Sequence, residues 1–231
     1  MTENNDFKLS DLKDALKRVL VPLNPDGYGI IFIACIITIL LYMLLPSLGC
    51  FAALITAFVI YFFRDPERVQ PDADDVILAS ADGVVDKIEE VTLPKELGED
   101  NEIYQRVSIF LNTFNVHVQR VPIDGSIIKS EYVQGKFLNI TNDKYHNDNE
   151  RQLVLMQADK GFKVAFVQIA GLVAKRIVFK LKEGQKVKAG ERFGSIKFGS
   201  RVDVYLPKSI KVVVKVGQLT IGGETVVGLI K

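Results

Sequence analysis

Residues 29–63 carry no charge, whereas beyond Pro71 the chain turns to short runs in which apolar and polar positions alternate. The two patterns call for different surroundings. An uncharged stretch of this length is too long for a signal-peptide core and too unbroken for an ordinary soluble helix, so it predicts membrane-embedded helix. Pro46, Ser47 and Gly49 divide it into residues 28–45 and 48–63, each near the short end of what spans hydrocarbon. A helical hairpin fits that division best; one tilted span and a hairpin buried in protein are the alternatives. Lys13, Lys17 and Arg18 precede the stretch and Arg64 and Arg68 follow it. For a hairpin, the bias of basic residues toward the inner face puts both ends in the cytoplasm. A single span would carry the rest of the chain across.

Upstream, Leu9, Leu12, Leu16, Val19 and Leu20 recur at helical spacing opposite Lys13, Asp14 and Lys17. Residues 1–27 therefore read as an amphipathic segment that lies on a membrane surface or packs on protein. Downstream, the alternation predicts antiparallel strands at 84–91, 106–111, 125–132, 153–157, 163–169, 173–181, 202–206, 210–216 and 225–230. Gly217 and Gly222-Gly223 mark turns, and 142–151, rich in Asn, Asp and Lys, reads as a loop. The expected fold is mainly β, a barrel or sandwich-type domain over 72–231. It is joined by a linker at 64–71 to the hydrophobic helical membrane hairpin at 28–63.

At 231 residues and 48% hydrophobic content the chain has enough apolar mass for a real core. A net charge of +1 argues against a nucleic-acid partner. The two cysteines, Cys35 and Cys50, fall in the apolar stretch, which argues against a disulfide framework or a thiolate zinc site. With only two histidines, far apart, and no His-Glu-x-x-His pattern, no metal is expected.

Three places carry candidate chemistry. His146 belongs to the polar loop, but His117 follows Phe114 and Val116 at the edge of the β core, where it is either a structural histidine or a proton-transfer group. Asp82-Gly83 reads as a turn ahead of a strand. Phe198-Gly199-Ser200-Arg201 precedes the strand-like 202–206. A Gly-Ser bond is often just a turn, yet in a strained one the serine hydroxyl has open access to the glycine carbonyl, which no Cβ shields. Cleavage there, followed by elimination and hydrolysis, would leave a pyruvoyl group at position 200. Phe193-Gly194-Ser195 repeats the first three residues but continues into Ile196-Lys197.

Taken together, Phe62-Phe63-Arg64-Asp65-Pro66, Ala81-Asp82-Gly83-Val84-Val85, Phe114-Asn115-Val116-His117 and Phe198-Gly199-Ser200-Arg201 resemble the short-form phosphatidylserine decarboxylase proenzymes, in the family's order. The resemblance implies self-cleavage between Gly199 and Ser200 into chains 1–199 and 200–231 that stay associated. It also implies a covalent pyruvoyl cofactor derived from Ser200, and conversion of phosphatidylserine to phosphatidylethanolamine and carbon dioxide through a Schiff base. Asp82 matches the aspartate that activates the cleavage-site serine in the longer branch, and His117 the histidine linked to decarboxylation. Arg120 stands where that branch has a second histidine, so Asp82 would act on Ser200 directly or through water. Lys175 and Arg176 are candidates to meet the lipid phosphate. A phospholipid substrate implies a site at the cell membrane surface, and the basic flanks of the hairpin put the catalytic domain on the cytoplasmic side; a higher oligomer is open. The rival readings are a non-enzymatic membrane-anchored β-sandwich adaptor and a decarboxylase of a related serine lipid such as archaetidylserine.

Overall fold

The structure, a computed structural model, describes residues 21–98, 102–136, 148–171, 176–197 and 200–230. Residues 1–20 of the amphipathic segment, His146, Lys175 and Gly199 lie outside the described residues. The chain divides into two compact units, Met1–Glu67 and Arg68–Lys231.

In the first unit, helix α1 (Tyr28–Leu44) and helix α2 (Pro46–Phe62) meet at Leu45, whose extended backbone (φ −153°, ψ 112°) separates them. Proline disfavours helical geometry in the residue before it and suits the first helical position itself, so Pro46 both ends α1 and begins α2. The helices then run back along each other. A Cβ on Gly49 would lie 2.4 Å from the Tyr42 Cα, so glycine permits the close approach next to the turn. Farther along, the Thr38 and Thr56 hydroxyls hydrogen-bond at 2.8 Å. Phe32, Met43, Phe51 and Leu54 point outward, exposed. Residues Pro25–Leu44 are long and apolar enough to cross a membrane, and α2 is a shorter apolar helix.

The second unit holds, among the described residues, β1 (Val76–Leu78), β2 (Gly83–Thr92), β3 (Ile103–Leu111), β4 (Val118–Arg120), β5 (Gly125–Val133), β6 (Arg151–Ala158) and β7 (Lys163–Ala170). It continues with β8 (Ile177–Phe179), β9 (Lys186–Val187), β10 (Arg192–Ile196), β11 (Ser200–Pro207), β12 (Lys211–Val212), β13 (Leu219–Thr220) and β14 (Val226–Leu229). The principal sheet is a curled half-barrel in the order β13-β2-β3-β11-β7-β6-β5-β9. Two three-stranded sheets, β1-β14-β12 and β4-β10-β8, accompany it. The mainly β class expected from the alternation is the class observed.

Both faces of the principal sheet are buried at its central strands, β11, β7 and β6. Val202, Val204 and Leu206 of β11 join Phe166, Ile109 and Phe193 in the main core. Tyr205, from the intervening positions, packs with Leu93, Tyr104, Leu153 and Val167 in a second cluster. Burial pushes the phenol of Tyr205 up, and the charge of Asp203 pushes it in the same direction. β11 is therefore a central strand with β3 on one side and β7 on the other, hydrogen-bonded to both.

The expected strands differ from the observed ones where runs are short. The 210–216 run contracts to Lys211–Val212, because Gly217, at φ 86°, turns the chain into β13. Of 173–181 only Ile177–Phe179 is strand among the described residues. β1, β4, β9, β10 and β13 fall outside the expected strands, since strands of two to five residues show too little alternation to register.

Candidate functional site

Ser200 is the first residue of β11, fully buried, opposite Leu111 of β3 and Ala170 of β7. It shares the strand parity of Val202 and Val204, so its side chain faces the main core. Its hydroxyl has no hydrogen-bond partner among the described residues. Leaving a buried polar group unsatisfied costs about 1–3 kcal/mol, and a group kept that way in a folded site asks for a reason.

The next residues hold this strand in place from the other face. Arg201 and Asp203 lie two apart, so they emerge together on the side away from Ser200. The Arg201 Nε donates to Asp203 Oδ1 at 2.7 Å and the guanidinium also donates to Ser108 Oγ of β3 at 2.7 Å. Both residues are buried. Removing one partner of such a pair leaves an uncompensated charge in the interior, so the arginine that completes the Phe-Gly-Ser-Arg motif fixes β11 against β3.

Asp82 lies at the same end of the sheet. Register pairs Val84 with Phe110 and Ser200 with Leu111, so the start of β2 and the start of β11 flank the end of β3. Two strand spacings, about 10 Å, separate their backbones. A Cβ on Gly83 would lie 2.3 Å from the Phe110 carbonyl oxygen, which explains the glycine after Asp82 better than turn formation does. The Asp82 carboxylate is held at both oxygens: Oδ2 by Arg68 at 2.7 Å and Oδ1 by the Gly222 N–H at 2.8 Å. The Thr220 hydroxyl donates to the Ala81 carbonyl at 3.0 Å and fixes the same turn.

His117 immediately precedes β4 and is buried. Its Nδ1 lies 2.9 Å from the Asn115 carbonyl, and its own carbonyl accepts from the Ile196 N–H of β10 at 3.2 Å. A chain of amides ties it to the Ser200 neighbourhood. Gln119 Nε2 donates to the His117 carbonyl at 3.0 Å, and Gln168 Nε2 donates to Gln119 Oε1 at 2.9 Å. Gln168 is opposite Val202 on β7, two positions along from the residue that faces Ser200.

Arg120, where a second histidine was sought, is a buried residue whose guanidinium donates to the Gly190 carbonyl at 3.0 Å. Its Cδ lies 2.7 Å from where a Cβ on Gly223 would be, so it packs on the turn that also holds Asp82. Arg176 is exposed, and its carbonyl accepts from the Lys197 N–H, three residues before Ser200. Lys175 and Gly199 are outside the described residues. Among the described residues no cluster of three His, Cys, Asp or Glu side chains is placed to hold a metal.

The geometry therefore links His117 through Gln119 to Gln168, on the strand beside Ser200, and sets Asp82 at the same sheet end in an ion pair with Arg68. Sequence reasoning passed over three of these participants. Gln168 had a signal, as the one polar residue inside Phe166-Val167-Gln168-Ile169-Ala170. Arg68 stood out only as a basic flank of the apolar stretch, and Gln119 had no signal, since it breaks no pattern.

Comparison with known proteins agrees with the motifs. Residues 55–228 match the family model described as phosphatidylserine decarboxylase. The chain is 52% identical over 202 residues to the phosphatidylserine decarboxylase proenzyme of Rickettsia akari (strain Hartford), covering 87% of each chain. It is 51% identical, over the same length and coverage, to the proenzymes of Rickettsia felis and Rickettsia bellii. With a family model matched over residues 55–228 and similarity extending over most of its length, the chain belongs to the phosphatidylserine decarboxylase family.

Proposed function

We propose that this chain is a self-processing, pyruvoyl-dependent decarboxylase that converts phosphatidylserine to phosphatidylethanolamine and carbon dioxide. The observation that carries the reading is the Ser200 hydroxyl, buried without a partner among the described residues in a chain whose relatives are named proenzymes. In the first step Ser200 Oγ bonds to the Gly199 carbonyl carbon, the Gly199–Ser200 C–N bond breaks, and the hydroxyl proton ends on the freed amine. Loss of the Ser200 α-proton then expels Gly199 as a carboxylate, and water displaces ammonia to leave a ketone on the smaller chain. That pyruvoyl group supplies an electrophile that takes the serine amine as a Schiff base and receives the electrons as carbon dioxide leaves.

The remaining residues take roles suited to their chemistry. Asp82, held in place by Arg68 and the Gly222 N–H, serves as the base for Ser200 directly or through water. His117 delivers a proton to the substrate carbon after decarboxylation. Lys175 and Arg176 meet the lipid phosphate. Chains 1–199 and 200–231 stay together, because β11 belongs to the smaller chain while β3 and β7, its hydrogen-bonding neighbours, belong to the larger. The apolar hairpin with basic flanks holds the enzyme in the cell membrane with its catalytic unit on the cytoplasmic side.

Intact-mass measurement of the purified protein tests this. The expected result is two chains, the smaller one blocked to Edman sequencing, and a single chain for Ser200→Ala. A wild-type chain that stays whole overturns the reading.

A further inference from the structure

Two buried polar atoms without partners sit on one face of adjacent strands. Ser200 Oγ is one, and Gln168 Oε1 is the other. Both residues are fully buried. Ser200 faces Ala170 and Val202 faces Gln168, so Ser200 and Gln168 are diagonal neighbours across β11 and β7. Diagonal positions lie about 7–8 Å apart at the backbone, within reach of a long side chain.

The hydrogen bonds fix which end of the amide is unused. The His117 carbonyl can only accept, so Gln119 must donate to it with Nε2, which leaves Gln119 Oε1 as an acceptor. Gln168 must then donate with Nε2, and its Oε1 is left with lone pairs and no donor. A Cβ on Gly194 would lie 3.0 Å from Gln168 Nε2, so the glycine on β10 leaves the amide its place. The unused atom on Gln168 is an acceptor and the unused group on Ser200 carries a donor.

We infer that Gln168 is a positioning residue for self-cleavage. Its Oε1 accepts the Ser200 O–H and so fixes the rotamer of the hydroxyl that attacks the preceding peptide bond. An amide is too weak a base to take the proton, so this role is orientation and complements the one proposed for Asp82. The inference rests on the self-processing reading. In the same step, the Oγ–C bond forms, the C–N bond breaks, and the proton passes from Oγ to the new amine.

The test follows full-length precursor made by cell-free synthesis with liposomes, at a temperature below the melting transition of every variant used. Gln168→Met, which keeps the length but removes the acceptor, should slow precursor loss about tenfold or more, the rate equivalent of one hydrogen bond. Gln168→Glu, which keeps an acceptor, should cut faster than Gln168→Met. Hydroxylamine separates orientation from later steps, because it cleaves an ester already formed between Gly199 and Ser200. Gln168→Met should stay largely whole in its presence. Wild-type-like cleavage of Gln168→Met, spontaneously or on adding hydroxylamine, overturns the inference, as does equal slowing by Glu and Met. A wild-type precursor that never cuts overturns the self-processing reading itself.

Discussion

The chain contains Phe-Gly-Ser twice within eight residues, and the two serines occupy different physical situations. Ser195 sits inside β10, paired with Val118 of β4 on one side and Val178 of β8 on the other. Gly194 has no room to be anything else, since a Cβ would lie 2.2 Å from the Val178 carbonyl oxygen. Phe193 packs its ring 4.7 Å from Phe166 and 6.4 Å from Phe179. The first copy is thus committed to a wall of the core. Ser200 instead opens a central strand, with its hydroxyl buried and unpartnered among the described residues. The same side chain is structural in one place and a candidate nucleophile in the other, so backbone position rather than tripeptide identity separates them.

The two copies are also connected. β10 donates through Ile196 to the His117 carbonyl, and Gly194 gives Gln168 the space to reach Gln119. On this view the first copy braces the residues that serve the second. The sharpest division follows from that bracing. In the processed enzyme, His117→Ala should lower turnover about a hundred- to ten-thousand-fold, the usual contribution of a positioned proton donor, while cleavage continues. Asp82→Asn should do the reverse, slowing cleavage while the Asn oxygen still accepts from Gly222. Decarboxylation of mixed-micelle phosphatidylserine and precursor mass, measured on the same samples, check the pair. Unaltered turnover in His117→Ala would remove that residue from the site.

A smaller effect is expected from the brace itself. Gly194→Ala forces a methyl against the Val178 carbonyl and the Gln168 amide, an overpacking that should cost about 1–3 kcal/mol in stability. Because that methyl also crowds the amide relay, precursor loss should slow at temperatures where the variant is fully folded. Chemical denaturation and precursor mass separate the two consequences. Lost stability with unaltered cleavage would confine β10 to a packing role.

What the sequence made legible follows from how each feature is encoded. The hairpin could be read because an uncharged run is a local property, and Pro46 marks its turn by a steric rule acting on Leu45. The long strands β3, β5, β6, β7 and β11 gave enough alternation or unbroken apolar length to find. β4 and β10 did not, being short and partnered only by segments distant in sequence. The site divides in the same way. Ser200, Asp82 and His117 stand in recognisable motifs, but the ion pair of Arg68 with Asp82 and the amide link from Gln119 to Gln168 join residues 14 and 49 positions apart. Nothing local writes such pairings into the chain. Arg201 and Asp203 were closer to readable, because charges two apart in a strand must share a face.

The smallest expected effect tests the comparison most directly. Ser195→Ala keeps the backbone pairing of β10 and adds no volume, so its pairing with β4 and β8 should persist. If backbone position distinguishes the two serines, the variant should cut at the wild-type rate and yield the same two masses. Its stability should shift by about 1 kcal/mol, the scale of one side-chain hydrogen bond. If Ser195→Ala instead gives a single uncut chain and Ser200→Ala still cuts, the two copies have exchanged roles. The buried hydroxyl of Ser200 would then have to be explained as part of the core.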